Sequence, residues 1–208
     1  MNFIHKTMRE EITFVQFKER FPLTLFPDGY AQDFEDYAPV HPVGQPAHDS
    51  AIHKVVRAPA VEVAGSWQEQ WEVVPLTQEE LAAMASDAAT ALEAARAEKN
   101  AAINAARLAA NFSTFTHAGK VFACDQLSRS DIDGTNGYVA LHGALPPVWP
   151  AGWKAVDNTF YPIADVAAWK AFYGSMFAAG NANFAHAQAL KQVLAAAQTI
   201  EDVEAIAW

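Results

Sequence analysis

Residues Asp125–Tyr138, "DQLSRSDIDGTNGY", crowd carboxylates, a glycine and an amide into one short stretch. Asp131, Asp133, Gly134 and Asn136 are the residue types of a calcium loop, in which hard oxygen donors surround the cation and a glycine makes the sharp turn. The spacing argues against that chemistry. An EF-hand loop has oxygen donors at positions one, three and five, glycine at six and a bidentate glutamate at twelve. Counted from Asp131, glycine falls at four, position five is Thr135 and position twelve is His142. A helix start fits better. Ser128 or Ser130 serves as N-cap, and Asp131 and Asp133 fall in the first turn, where the dipole favours negative charge. Ile132, Val139 and His142 then share a side, and Gly134 lets a hairpin approach closely. No metal is expected.

Other chemistry-bearing residues are dispersed. His5, His41, His48, His53, His117, His142 and His186 form no HxxxH, HExxH or HxH pair, and His41 and His48 lie near Asp49 without a cysteine partner. The sequence has no GxSxG, GxxxxGK[ST] or GxGxxG. Its single cysteine, Cys124, sits in the apolar run "KVFACD" and reads as a buried, inert thiol. No catalytic residue and no cofactor is expected, so the protein is read as a non-enzyme.

Charge narrows the partners. Fourteen basic against twenty-four acidic residues give a net charge of −10, and the basic ones are scattered, which argues against nucleic acid. No segment has the roughly 20 apolar residues of a membrane helix, and "MNFIHKTMREE" is unlike a signal peptide. The expectation is a soluble product made in the cytoplasm, with no membrane insertion.

The elements that must position any site divide the sequence into three. Residues 1–76 open with a capping box, Thr13 with Gln16, and a short helix that places Phe14 and Phe17 on one side and ends at Pro22. Residues 26–50 read as an extended loop, suited to draping over a neighbour, with Tyr30, Phe34 and Tyr37 as partner anchors. A strand carrying Pro59, at an edge or bulge, leads through "AGS" into "WQEQWEVV". There a period of two puts Trp67 and Trp71 on one face, for a core or a partner.

Residues 77–111 read as one long helix opened by Thr77 and Glu80. Leu81, Leu92 and Ile103 recur every eleven residues, as do Met84, Ala95 and Ala106, tracing a narrow apolar stripe along one side. Such a stripe reads as an oligomer seam, the helix as a stalk. Residues 112–208 alternate hairpins and helices. "FSTFTHAGKVFACD" and "GWKAVDNTFYPI" are hairpins, Asp165 caps one helix, "NFAHAQALKQVLAAA" forms a further one, and Thr199 caps the last. The fold class is α+β.

Residues 112–208 also resemble an uncharacterised C-terminal domain of small tailed-bacteriophage proteins encoded near tail and tail-fibre genes. "FTHAGKVF", "DQLSRSDIDG", "VDNTFYPI" and "LKQVLAAAQTIEDVEAI" carry the resemblance. The N-terminal half is similar to phage tail-associated proteins through Phe21-Pro22, Phe26-Pro27, the Gly65, Trp67, Trp71, Val73 hairpin and "LTQEE". The resemblance implies a structural virion component of a tail or tail-fibre apparatus, made in the host bacterial cytoplasm and located in the virion tail. It implies contacts with other tail proteins and a homo-oligomer, a trimer by fibre analogy. Alternatives are a cytoplasmic tail-fibre assembly chaperone, or a carbohydrate- or receptor-binding module presenting Trp149 or Trp153.

Overall fold

The computed structural model describes all residues 1–208 and is mixed α+β, with two compact units, Met1–Ala85 and Ser86–Trp208. The first unit holds β1 (Asn2–His5), β2 (Glu11–Thr13), α1 (Phe14–Arg20), β3 (Tyr37–His41), β4 (His53–Val63), β5 (Ser66–Pro75) and the start of α2 (Gln78–Asn111). Its sheet has the order β2-β1-β3-β5-β4, all neighbours antiparallel except β3 with β5.

Strand alternation sorts neighbouring residues of β1 to opposite faces. Phe3 joins Ile12, Tyr37, Phe26 and Phe17 of α1, with the Phe3 and Phe17 rings stacked at 4.1 Å. Ile4 joins Ala38, Val40, Ala60 and Trp67 on the other side. In a flat sheet the edges β2 and β4 would lie about 19 Å apart. Arg57 of β4 nevertheless pairs with Glu11 of β2, and with Glu69 at 3.2 Å. The sheet therefore curls until its two edges share an ion pair. β4 is an edge strand with a register shift between Ala58 and Val61, at Pro59, as expected of a proline that cannot donate to the ladder.

The long loop expected over residues 26–50 is corrected, because Tyr37–His41 is the middle strand of the sheet. Buried on both faces, "YAPV" shows no alternation, and its proline discourages a strand assignment. Pro39 is accommodated because β5 engages β3 only at Val40 and His41.

The second unit contains the rest of α2, β6 (Thr114–His117), β7 (Lys120–Ala123), α3 (Gln126–His142), β8 (Gly152–Lys154), β9 (Phe160–Pro162), α4 (Val166–Ala196) and α5 (Ile200–Glu204). The β6–β7 turn places Ala118 and Gly119 at φ of 47° and 76°, the mirror-image turn that matches the twist of a two-residue hairpin. At Gly152 a Cβ would come within 2.3 Å of the Tyr161 carbonyl, so only glycine lets β8 and β9 close.

α4 is one continuous helix, where the sequence suggested two. Gly180 and Asn181 weaken its middle, glycine by about 1 kcal/mol, but each half buries its own core. The first half packs Trp169, Phe172 and Met176 among Phe115, Phe122, Ile132 and Ile163. The second half packs Ala187 and Leu194 with Ile103 of α2 and with Val203 and Ile206 from α5 and the segment after it.

The carboxylate-rich stretch Asp125–Tyr138 belongs to α3 and its cap. The cap is Asp125, not Ser128 or Ser130, and the carboxylate accepts from the backbone N–H groups of Leu127 and Ser128, both at 3.0 Å. Starting the helix earlier moves Asp131 and Asp133 beyond the first turn. Asp133 faces Arg129 at 3.6 Å, and Ile132 and Val139 enter the core while His142 stays exposed. The close approach expected at Gly134 is also corrected, since a Cβ there would meet nothing within 4 Å.

Candidate functional site

The residues expected to carry function are those of the α2 stripe and the N-terminal aromatics. α2 opens as its capping box dictates. Thr77 Oγ1 accepts from the Glu80 N–H at 3.2 Å, and a Glu80 carboxylate oxygen accepts from the Thr77 N–H at 2.9 Å. Glu80 also pairs with Lys54, and the ammonium, followed by the Thr77 hydrogen bonds, lowers the pKa of this half-buried carboxyl.

Further along, the seam reading is corrected for the stripe's second half. Ile103 is 3% exposed beneath Ala187, Leu194, Val203 and Ile206, and Leu92 and Ala95 pack against the same cluster. Ala106 is half-buried as well. The protein's own C-terminal helices thus cover what was assigned to other copies.

Basic residues of α2 hold that cover in place. Arg96 donates to the Ala197 carbonyl at the α4 C-terminus, and Lys99 Nζ donates to the Glu204 and Ile206 carbonyls at 3.2 and 3.1 Å. Cations here satisfy the orphan carbonyls that end each helix and complement its dipole. In the sequence they read as scattered charge, because their acceptors are backbone atoms about a hundred residues away.

The stripe's first half is different. Met84 is 46% exposed, Leu81 is half-buried, and every residue from Ser86 to Ala91 is exposed. Beside them Ala88, Ala89 and Leu92 of α2 form one wall of a largely apolar groove of about 400 Å³, with Thr199 and Ile200 opposite.

The N-terminal aromatics are corrected in part. Tyr37 and Trp67 are only 4% and 6% exposed and belong to the unit's own cores, so neither ring is free to anchor a partner. Tyr30 and Phe34 are half-buried against the first of those cores. Trp71 is half-buried, and its indole N–H donates to the Val43 carbonyl at 2.8 Å, pinning the segment after β3. Trp149 and Trp153 lean on Trp169 at ring separations of 5.4 and 5.7 Å, and the Trp149 N–H donates to the Ile163 carbonyl. Both rings are half-buried and pack against the core that α4 builds.

One pair has catalytic residue types. His117 Nδ1 lies 2.8 Å from Ser175 Oγ. Ser175 Oγ also lies 3.2 Å from the Ala171 carbonyl of its own helix. The pair ties β6 to α4.

Burial holds the His117 pKa below its ordinary value of 6.5. The unfolded protein therefore binds more protons between the two values. The stability His117 contributes is complete above about pH 6.5 and falls as pH drops through the folded value. Thermal melts followed by circular dichroism should show a lower midpoint at about pH 5.5 than at about pH 7.5, and His117→Gln should shrink the difference. The capping carboxylates Asp125 and Asp202 and the turn carboxylate Asp157, all with lowered pKa through hydrogen bonds, titrate in a separate, more acidic window.

Residues 94–207, just over half of the protein, match the family described as a domain of unknown function, DUF4376. The chain belongs to the DUF4376 family. No curated protein and no solved structure matches it. The DUF4376 segment begins within α2, between Leu92 and Ala95, where the stripe meets the C-terminal helices. The second half of α2 is thus part of the DUF4376 core, and the boundary expected at residue 112 moves back into the helix. A helix interior carries no composition change that marks such a boundary.

Proposed function

We propose that this DUF4376 protein is a structural component of a bacteriophage tail or tail-fibre apparatus, acting by protein–protein contact and not by catalysis. The resemblance of its motifs to tail-associated proteins supports the setting. The observation that carries the contact reading is the stretch of α2 from Ser86 to Ala91, exposed on every side, with the apolar groove that Ala88, Ala89 and Leu92 line beside it. A short run of alanine-rich helix is marginal in water by itself, and covering it removes apolar area at about 25 cal/mol per Å². A second copy of the protein is the proposed cover, with the seam reduced to Leu81, Met84 and the residues up to Leu92.

Protein mass spectrometry of purified virions tests the setting. Stoichiometric amounts in the particle are expected. Absence from the particle, with abundance in the infected cell, would replace this reading with an assembly chaperone. Light scattering of the purified protein tests the seam. Ala88→Glu should lower the molar mass to that of a monomer, and a wild-type monomer at all concentrations would remove the homo-oligomer.

A further inference from the structure

A cleft of about 290 Å³ lies among α2, α3 and α4 in the second unit, and it is lined by the two arginines Arg107 and Arg129. Arg107 has an unusual position. Its guanidinium lies over the Phe184 ring at 4.7 Å, and its buried Nε–H has no acceptor. None of the ion pairs in the protein includes it. A guanidinium stacked by its face keeps its donors along the edge, in a planar fork that matches a carboxylate.

The rest of the cleft complements that fork. Arg129 stands over Phe112 at 5.9 Å and is only partly neutralised by Asp133 at 3.6 Å. Asn111, one turn after Arg107, accepts from Asn183 at 3.0 Å, which leaves the Asn111 amide N–H groups free to donate. The lining holds no acidic residue. Phe177 and Phe184, 59% and 46% exposed, form an apolar shelf along the same cleft. In a protein of net charge −10, an unpaired arginine beside exposed rings selects for a ligand that is anionic at one point and apolar next to it.

The geometry points to a binding site for a protein carboxylate flanked by an apolar side chain, with Arg107 and Arg129 gripping the carboxylate and Phe177 and Phe184 receiving its neighbour. An Asp or Glu residue and a polypeptide C-terminus share this chemistry. The inference concerns the DUF4376 core itself and stands whether or not the virion assignment does.

Nuclear magnetic resonance of the full-length ¹⁵N-labelled protein reads the orphan donor directly, through the Arg107 Nε–H resonance. The probes are N-acetylphenylalanine for a terminal carboxylate, acetyl-Phe-Glu-amide for the carboxylate of an acidic residue, acetyl-Phe-Gln-amide as the uncharged control, and inorganic phosphate. Saturable shifts of the Arg107 resonance and of residues 180–184 are expected with at least one carboxylate probe, and the tighter of the two identifies the source. Binding should weaken about tenfold in Arg107→Lys, which keeps the charge and loses the fork, and further in Arg107→Gln. Unchanged dispersion of the Trp169 and Phe172 signals shows that each variant is folded. No saturable shift, equal binding of the Phe-Gln control, binding undiminished in Arg107→Gln, or phosphate binding as tightly as the peptides would each overturn the proposal.

Discussion

Ile103→Asp should destabilise the second unit by more than about 3 kcal/mol, by the same amount at every protein concentration. Ile103 is 3% exposed at the centre of a cluster built from α2, α4, α5 and the segment after α5. A carboxylate there would be buried among Ala187, Leu194 and Val203, and the unpaired cation one turn on, Arg107, is held over the Phe184 ring. Arg96 and Lys99 lie on the same helix, but their head groups already serve the carbonyls of Ala197, Glu204 and Ile206. Unfolding by urea, followed at two protein concentrations tenfold or more apart, checks the claim. Were Ile103 itself in a seam between copies, the variant would lose the rise of the midpoint with concentration that an oligomer shows. An internal core gives a fixed shift. Ile103→Ala serves as the milder comparison, at about 2–4 kcal/mol, because it leaves a cavity without adding a charge.

The second large effect is expected at Trp169. Its side chain is fully buried and touches Trp149, Trp153 and Phe172 at ring separations of 5.4 to 5.7 Å. Trp169→Ala should cost about 3–5 kcal/mol, the usual range for emptying an aromatic site in a close-packed core. Trp169→Phe should be disproportionately mild, within about 1 kcal/mol of the native protein, because of the indole N–H. That group is buried with no acceptor. An unpaired buried donor costs on the order of 1–3 kcal/mol, and phenylalanine removes that cost while keeping most of the ring. Chemical denaturation of the three proteins measures both differences. A Trp169→Phe variant as unstable as Trp169→Ala would show that the N–H has a partner in solution.

The legibility of the fold followed the range of the interactions involved. Thr13 with Gln16, Thr77 with Glu80 and Asp165 each start a helix where the sequence placed one, because a cap is decided within four residues. The hairpins around Gly65, Gly119 and Asn158 were legible for the same reason, since residues at positive φ must stand at those turns. Pro59 announced the irregular edge strand. β3 was missed because a short strand buried on both faces has no alternation to detect. The α3 cap was displaced by three residues or more because Asp125, Ser128 and Ser130 are all good caps, and only the packing of Ile132 and Val139 chooses among them.

The site residues were less legible, and the reason is physical. The eleven-residue stripe of α2 marked a side that is covered in its second half, but periodicity carries no information about what covers it. For Leu92, Ala95 and Ile103 the answer came from residues 187–206, for Tyr37 from Phe17 of α1 and Phe26, and for Trp67 from Ile4, Ala38, Val40 and Ala60 of its own sheet. Arg107 and Arg129 looked like isolated charges because their proximity depends on how three helices pack. By itself the sequence determined the helix starts, the hairpin turns and which helix faces are apolar, since these depend on neighbours a few residues away. Only the tertiary structure decided which apolar faces meet within the protein and which stay bare, because that choice rests on contacts between residues about a hundred positions apart.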